Sequence, residues 1–465
     1  MKKLICLLLA MVLLICGCAS SGGPIGQPSN PTASTPAPGP TDGTTLPWTE
    51  TPTEPPAPTT EPTEEPTQPT GGPTQPTEEP TQPTEEPSKP TQDSTSNPII
   101  IVGGKWDGGP VTWKITSDGI LCISGNRSFQ ESTDYIWKEY SDIVTKIVVE
   151  DGITNIPKYA FSDLINVTEV YIGNAVKEIG SNAFAGCTSL KHVTIPASVE
   201  KIRDNAFAFC TNLNYIYFED NCSIKEIERY AFTESGIREF TSPESLQTIG
   251  KYAFHACHQL EYICLKDGIS NLNARVFDNC TALKTVILGE SLTYIGGYVF
   301  NGCMAITTIE NYTSAIRSFE NLPLLTTLVI GGTSNTSGRY ANCTALSSVT
   351  FLSPISEIGD YAFSGCTSLS TITIPDTVYK IGTRAFEETG LETITIPSSV
   401  STIGLFAFRN CAVKTIHFLG DLPEIDNMSS FSGVFATAYY PAGNKTWTHE
   451  ALQNYGADQM VWVAR

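Results

Sequence analysis

A segment of about 23 residues recurs along most of the chain, and this repeat limits the available folds more than any other sequence feature. Each copy contains an aromatic residue, usually preceded by alanine, which we call its anchor. Ten anchors are phenylalanines: Phe161, Phe184, Phe207, Phe232, Phe254, Phe277, Phe300, Phe363, Phe386 and Phe408. Two degenerate copies, anchored on Phe319 and Tyr340, fill the longest gap, so the sequence predicts about twelve copies. Because so small a unit cannot bury its own apolar face, the copies must stack into a solenoid.

The copy around Phe207 shows what each position does. Val193 and Ile195 alternate with polar residues, which indicates a short strand with one buried face. Ile202 lies five residues before the anchor, and this spacing recurs in most copies. Phe207 and Cys210 are three residues apart, which predicts one side of a tight helical turn. The expected fold is therefore a β-rich repeat solenoid with short helical turns.

Eight cysteines share one position in the repeat, three residues after an anchor. They are Cys187, Cys210, Cys257, Cys280, Cys303, Cys343, Cys366 and Cys411. Leu164 and Leu322 take this position in two copies, so we interpret the thiols as buried, apolar side chains. A disulfide framework or a metal site is the alternative for an exported chain with many cysteines.

The first residues have the pattern of a secretory signal. Two lysines precede an uncharged apolar run, Leu4 to Ile15, which is too short to span a bilayer comfortably. The run ends in small residues before Cys18 and resembles the lipobox of bacterial lipoproteins, although Ile15 and Cys16 depart from the usual pattern. We therefore expect a lipoprotein signal peptide over residues 1–17 and lipidation at Cys18. Cleavage by an ordinary signal peptidase is the alternative.

Residues 18–98 are a predicted disordered stalk rich in Pro, Thr and Glu. Between Pro24 and Pro98 lie 21 of the 31 prolines, and eleven acidic residues against the single basic Lys89. Proline at this density excludes helix interiors and favours polyproline II. The formal net charge of −20 and the lack of a basic cluster argue against nucleic acid and against electrostatic docking on lipid. A lipid anchor would then be the chain's only membrane contact. Whether the threonines carry sugars stays open.

The repeat also carries a family resemblance. Its pattern, Val-Thr-Ile-Pro, then Ser-Val, then Ile, then Ala-Phe and Cys-Thr, resembles the BspA-like leucine-rich repeat surface proteins of bacteria. Residues 99–150, with a hairpin turning at Asp118-Gly119, look like the entry module that often precedes such arrays. The resemblance implies a leucine-rich repeat solenoid over residues 151–420 and a C-terminal cap over residues 421–465.

The same resemblance implies adhesion and location. Such proteins stand on the extracellular face of a bacterial membrane and bind host matrix proteins, other extracellular proteins or other bacterial surfaces. Two alternatives stay open, because this fold serves many partners. One is a structural or scaffolding protein of the envelope, and the other is an accessory carbohydrate-binding surface protein.

No motif in the sequence points to catalysis. The stretch Ile101-Val102-Gly103-Gly104 imitates the mature start of trypsin-like proteases, but no Gly-Asp-Ser-Gly-Gly follows it. His255, Cys257 and His258 could be read as a metal cluster, yet Cys257 has the buried repeat position. We therefore expect no enzymatic activity, no cofactor and no metal.

Alternation along the repeated strands predicts a row of outward-facing residues on each side of the buried pair. Within that row we expect binding at His192, Tyr215, Tyr217, Tyr262 and Ile287, because tyrosines offer large, rigid contact area. The alternative is that these tyrosines only cover the sheet. The same alternation predicts that Cys264, Thr371 and Thr373 face outward from strands.

Overall fold

The computed structural model describes residues 98–465, apart from 107–108, 133, 314, 316–318, 333–338 and 427–428. The predicted signal, Cys18 and almost all of the stalk lie outside the described residues. The described part contains 28 strands and one 3-10 helix, Ile136–Tyr140. In chain order the strands are β1 Ile100–Lys105, β2 Thr112–Thr116, β3 Ile120–Ser124, β4 Lys146–Val149, β5 Asn155–Ile156, β6 Glu169–Ile172, β7 Glu178–Ile179, β8 His192–Ile195, β9 Lys201–Ile202, β10 Tyr215–Phe218, β11 Glu226–Ile227, β12 Glu239–Thr241, β13 Thr248–Ile249, β14 Tyr262–Leu265, β15 Asn271–Leu272, β16 Thr285–Leu288, β17 Tyr294–Ile295, β18 Thr308–Asn311, β19 Thr327–Ile330, β20 Ser348–Phe351, β21 Glu357–Ile358, β22 Lys380–Ile381, β23 Thr393–Ile396, β24 Thr402–Ile403, β25 Thr415–Phe418, β26 Glu424–Ile425, β27 Phe435–Tyr440 and β28 Gln459–Ala464.

The strands and turns wind into a β-solenoid of about 14 turns, which we call coils. Each regular coil has three faces. The long-strand face carries mostly four-residue strands, the short-strand face carries two-residue strands, and the anchor-turn face carries the anchor. Strands of neighbouring coils pair in parallel; β8 and β10, for example, pair residue by residue over their whole length. The predicted repeat solenoid is confirmed.

A column of stacked aromatic rings runs through the core. Consecutive anchor rings from Phe161 to Phe431 lie 5.1–6.0 Å apart between centroids. Trp137 extends the column at its N-terminal end, 5.9 Å from Phe161. All twelve predicted anchors lie in this column, and Trp137 and Phe431 extend it by coils that lack the Ala-Phe and cysteine signals.

The repeated cysteines are buried, as expected, and they also donate hydrogen bonds. Cys187 Sγ lies 3.2 Å from the carbonyl oxygen of Phe161, and Cys210 Sγ lies 3.1 Å from that of Phe184. The same bond recurs in most copies with a cysteine. Burial raises the pKa of the Cys187 thiol to about 12, so the sulfur keeps the proton that it donates. These seven thiols thereby satisfy buried anchor carbonyls, which would be costly to leave unpaired, whereas Cys411 lies near the Leu391 carbonyl instead.

The anchor segments differ from the expected helical turns. Asn205 and Phe209, two residues either side of Phe207, have φ values of 56° and 60°, and this left-handed pair recurs in the regular coils. The Phe207 amide donates to the Ala231 carbonyl of the next coil at 2.8 Å, and the amides of Asn205 and Phe209 donate to the same coil. Because these bonds leave the coil instead of reaching back four residues, no helix forms. All three amides point toward the C-terminal end of the solenoid.

The entry module closes the N-terminal end of this polar ladder. The Lys158 and Ala160 carbonyls of the first regular coil have no earlier anchor turn to donate to them. Tyr135 donates its hydroxyl to the Lys158 carbonyl at 2.9 Å, and Trp137 donates Nε1–H to the Ala160 carbonyl at 2.7 Å. Burial raises the pKa of Tyr135 to about 12, so its hydroxyl remains a donor. Two aromatic side chains therefore cap the solenoid.

The short-strand face is described on either side of the degenerate copies. In the described residues its strands form one sheet from β5 to β17 and another from β21 to β26. The long-strand face continues through this region as β18, β19 and β20. Tyr340, the anchor of one degenerate copy, is fully buried, and Asn311 Nδ2 donates to its hydroxyl at 3.0 Å. The polar tip of this unusual anchor is thus satisfied inside the core.

Candidate functional site: the long-strand face

The structure places all five predicted binding residues on the long-strand face, where each is partly exposed. His192 lies beside Tyr215 in the register of β8 and β10. The rings of Tyr215 and Tyr217 are 6.2 Å apart and nearly parallel. Tyr262 and Ile287 lie on β14 and β16, in a separate sheet. The structure therefore groups His192, Tyr215 and Tyr217 and leaves the other two beyond β12.

Two details of the predicted outward row are wrong. Cys264 is only 6% exposed, because its small side chain lies between its register partners Thr241 and Ile287 on the neighbouring strands. Residues 371–374 form no strand, although Thr371 and Thr373 are exposed as expected.

Prolines explain why the long-strand face is not one continuous sheet. In paired coils, the amide of the residue just after a long strand donates to the carbonyl of the last residue of the long strand in the preceding coil. The Glu219 amide, for example, donates to the Ile195 carbonyl at 3.1 Å. Proline has no N–H to make this bond. Within the described residues the face is interrupted in four places, and a proline follows the segment after each interruption. The segments are β8, β12, residues 371–374 and β23, and their prolines are Pro196, Pro243, Pro375 and Pro397. Pro441 is an exception, since β25 still pairs with β27 over three residues.

These interruptions expose parts of the apolar core. Away from the C-terminal end, inward-facing residues of the long strands are buried, except on segments just before an interruption. The partly exposed ones are Val170, Ile216, Phe218, Val349, Phe351 and Ile372. Each interruption is therefore a place where a partner can reach apolar side chains from the strand face.

The first interruption, between β6 and β8, forms a groove whose lining includes Lys146, Glu169, Tyr171, His192 and Thr194. Lys146 Nζ and Glu169 Oε2 are 2.9 Å apart. Burial and the hydrogen bond that Tyr171 donates to an aspartate raise the pKa of its phenol. Thr194 Oγ1 is buried and has no hydrogen-bond partner. The groove thus offers one unsatisfied hydroxyl beside charged and aromatic side chains.

The second interruption, between β10 and β12, is wider. Most Cα–Cα separations between these two strands exceed 8 Å. Ile216 and Phe218 are partly exposed at its floor, where the Phe218 ring meets Phe240 at 6.3 Å. Tyr217 lies at the rim of this interruption. Burial is the main cause that raises the pKa of its phenol, and the nearby Glu239 carboxylate raises that pKa further. Sequence reasoning found the rim tyrosines but missed this gap, for which Pro243 was the available signal.

The residues considered as a metal cluster do not converge. Cys257 is buried and donates to the Phe232 carbonyl, while His258 is exposed and lies 3.3 Å from the Thr281 hydroxyl. His255 Nδ1 lies 3.3 Å from Asp278 on the anchor-turn face. In the described part of the chain no three His, Cys, Asp or Glu side chains are grouped to hold a metal ion. Nor does any helix in that part have the length and apolarity to cross a membrane.

The repeat matches a known family model over most of the described chain. The model of the BspA type leucine-rich repeat region, which comprises six repeat copies, matches residues 133–261, 221–324 and 315–438. The chain belongs to this family. Leucine-rich repeat proteins of this kind are bacterial cell-surface proteins that generally bind other proteins and are typically not enzymes.

Several solved structures are similar in fold to this BspA-type chain. A leucine-rich repeat protein of Bacteroides ovatus is 22% identical, with 76% of this chain and 98% of that one covered and a TM-score of 0.39. A leucine-rich cell surface protein of Faecalibacterium prausnitzii is 22% identical, covering 70% and 96%, with a TM-score of 0.27. The pneumococcal vaccine antigen PcpA is 15% identical, covering 78% and 99%, with a TM-score of 0.32. No curated protein matches the chain.

Proposed function

We propose that this BspA-type protein is an adhesin that binds a protein of the host matrix or of another cell through its long-strand face around β8, β10 and β12. In this proposal the protein acts by binding and not by catalysis. The observation that carries the proposal is the grouping of His192, Tyr215 and Tyr217 beside partly exposed core residues. Protein interfaces combine these features, since buried aromatic anchors supply most of the binding energy and a polar rim surrounds them.

The strand face also fits this role mechanically. Its side chains project from paired strands of a rigid solenoid, so little conformational freedom is lost when a partner docks. The tyrosine pair is held parallel on one strand, and tyrosine has few rotatable bonds to order. Binding residues held in this way give specificity without a large rearrangement of the surface.

A triple variant tests the proposal. Tyr215, Tyr217 and Tyr262 are changed to Ser, and adhesion to immobilised matrix proteins is compared with retention on purified cell wall. We expect adhesion to matrix proteins to be lost while the melting temperature changes little, because the three side chains are partly exposed. A variant with Tyr294, Tyr298 and Tyr361 changed to Ser is the control, since those tyrosines are 50%, 68% and 45% exposed on other faces. Equal adhesion of both variants would contradict the proposal, and retention on cell wall alone would favour the scaffolding role.

We also propose that lipid at Cys18 anchors the protein and that the stalk of residues 18–98 carries the solenoid away from the membrane. The support is the sequence of the first residues, which the structure does not describe. Labelled palmitate should enter the wild-type protein and not Cys18→Ala. Release of both proteins into the medium in equal amounts would refute the anchor.

A further inference from the structure

We propose that β28 pairs with β28 of a second copy of this protein, so that two solenoids join end to end through an antiparallel pair of strands. This inference goes beyond the proposed function, because it concerns a separate surface at the C-terminal end of the solenoid, away from β8, β10 and β12.

β28 has a free edge. It is the last strand in the sheet of β23, β25, β27 and β28, and it pairs with β27 over all six of its residues. Within the described residues no strand pairs with its other side. Alternate backbone groups of β28 therefore point outward without a neighbouring strand, and such groups pair readily with another extended chain.

β28 lacks the features that normally keep an edge strand from pairing. Proteins protect exposed edges with charged residues, prolines or bulges. The six residues of β28, Gln-Met-Val-Trp-Val-Ala, include no charge and no proline, and their register with β27 is continuous. β1, the edge strand of the first sheet, has a bulge between Ile100 and Val102 and ends in Lys105. The contrast assigns pairing to the C-terminal edge.

The outward side chains next to this edge are apolar or uncharged. Val461 and Val463 are exposed on β28, in register with Thr437 and Tyr439 of β27. Neither strand contains a charged residue. In an antiparallel pair of two copies, the valines of both copies lie on the same side and make cross-strand contacts, and β-branched pairs of this kind stabilise sheets.

The charges at the two ends of β28 complement each other. Asp458 precedes the strand and Arg465 follows it, and both are exposed. Within the described residues neither forms an ion pair, and the Arg465 guanidinium lies 5.5 Å from the centre of the Tyr439 ring. Antiparallel pairing brings Arg465 of one copy beside Asp458 of the other, twice in each dimer. Parallel pairing would instead place like charges together.

The negative charge of the chain does not oppose this contact. Residues 439–465 contain two basic residues, Lys445 and Arg465, and two acidic residues, Glu450 and Asp458, so their formal charges cancel. The formal net charge of −20 therefore arises from the rest of the chain. Salt at physiological strength screens exposed charges beyond about 8 Å, so most of that charge is not felt at the paired edges.

A second copy is also the partner that symmetry favours. Two-fold dimers are the most common oligomers, and their interface uses the same surface of both copies, as the pairing of β28 with itself does. The two β1 strands, into which the stalks lead, then lie at opposite extremes of the pair. The dimer therefore fits copies that the proposed anchors hold on two facing cells.

Sedimentation velocity of the full chain tests the inference. We expect a reversible equilibrium between monomer and dimer at protein concentrations up to about 1 mM. Val461→Lys should weaken dimerisation at least about tenfold, because the two lysines then lie close to the two-fold axis. Val329→Lys is the control, since Val329 also faces outward but its strand, β19, is paired on both sides. A monomer throughout, open-ended assembly beyond the dimer, or equal weakening by both variants would overturn the inference.

Charge reversal tests the orientation of the two strands. Asp458→Arg alone, or Arg465→Asp alone, should weaken dimerisation about fivefold, because each creates two like-charge pairs in the dimer. The double variant restores two opposite-charge pairs and should dimerise within about twofold of the wild type. A double variant as weak as the single ones would rule out antiparallel pairing of β28.

Hydrogen exchange locates the contact without any substitution. Amides of residues 459–464 should exchange more slowly at high than at low protein concentration, while those of residues 327–330 in β19 should not change. Protection confined to other residues would overturn the inference. The variant with Tyr215, Tyr217 and Tyr262 changed to Ser should dimerise like the wild type, so loss of its adhesion tests only the proposed function and loss of dimerisation by Val461→Lys tests only this inference.

Discussion

Replacing Trp137 by phenylalanine should weaken the solenoid mainly by removing one hydrogen bond. The substitution keeps an aromatic ring at the end of the anchor column, 5.9 Å from Phe161, but it removes the Nε1–H that donates to the Ala160 carbonyl at 2.7 Å. The Trp137 side chain is fully buried, so water cannot replace the lost donor.

The expected magnitude follows from these contacts. A buried carbonyl left without a partner costs about 1–3 kcal/mol. The smaller ring leaves a cavity that adds about 1 kcal/mol. We therefore expect Trp137→Phe to lower the free energy of unfolding by about 2–4 kcal/mol.

Urea unfolding followed by circular dichroism measures the total loss, and hydrogen exchange of residues 158–163 reports whether the first coil opens. Trp462→Phe is the matched control at the other end of the chain, because Trp462 is partly exposed and water can satisfy the Gln453 carbonyl to which it donates. A loss for Trp137→Phe no larger than that of Trp462→Phe would refute the idea that the indole caps the ladder.

Three further predictions concern the core and its ends. Phe207→Ala should lower the free energy of unfolding by about 3–5 kcal/mol, whereas Lys191→Ala on the surface should change it by less than about 0.5 kcal/mol, both measured by urea unfolding. Cys210→Ala should cost about 1 kcal/mol more than Cys210→Ser, because serine keeps a donor for the Phe184 carbonyl; equal losses would argue against the thiol bond. Burial raises the pKa of Tyr135 to about 12, above the ordinary value of about 10. Its stabilising contribution is therefore complete below about pH 10 and is lost as the pH rises through about 12, so Tyr135→Phe should flatten the alkaline fall in melting temperature.

The repeat phase was enough to predict the solenoid, because positions such as Phe207 and Cys210 recur with a fixed spacing and physical character. The two end coils were not predicted, because they lack these recurring positions. Trp137 and Phe431 occupy the anchor column without the neighbouring alanine and cysteine, so no sequence phase identified them. The donor role of the cysteines was also hidden, because spacing shows that a residue is buried but not which carbonyl it meets.

The candidate site was predictable only in part. Alternation along β10 was sufficient to place Tyr215 and Tyr217 on the exposed face. The gap beside them depends on how two neighbouring coils diverge, which a pattern within one coil does not contain. Pro243 was nevertheless an available sequence signal. Proline has no N–H, so at that position it removes a hydrogen bond between two coils in addition to ending a strand.

The uniform direction of the anchor-turn amides makes the two ends of the solenoid chemically different. Each finished coil presents three N–H groups toward the coil that follows it, as Asn205, Phe207 and Phe209 do, and the next coil brings the acceptors. At the opposite end, Tyr135 and Trp137, which precede the first regular coil in the chain, bond two of the three acceptor carbonyls. Synthesis proceeds from the same end, so the cap and the first coil exist before any later repeat has been made. Because each coil contacts mainly its neighbours, the first coils have their packing partners and their cap before the C-terminus is synthesised.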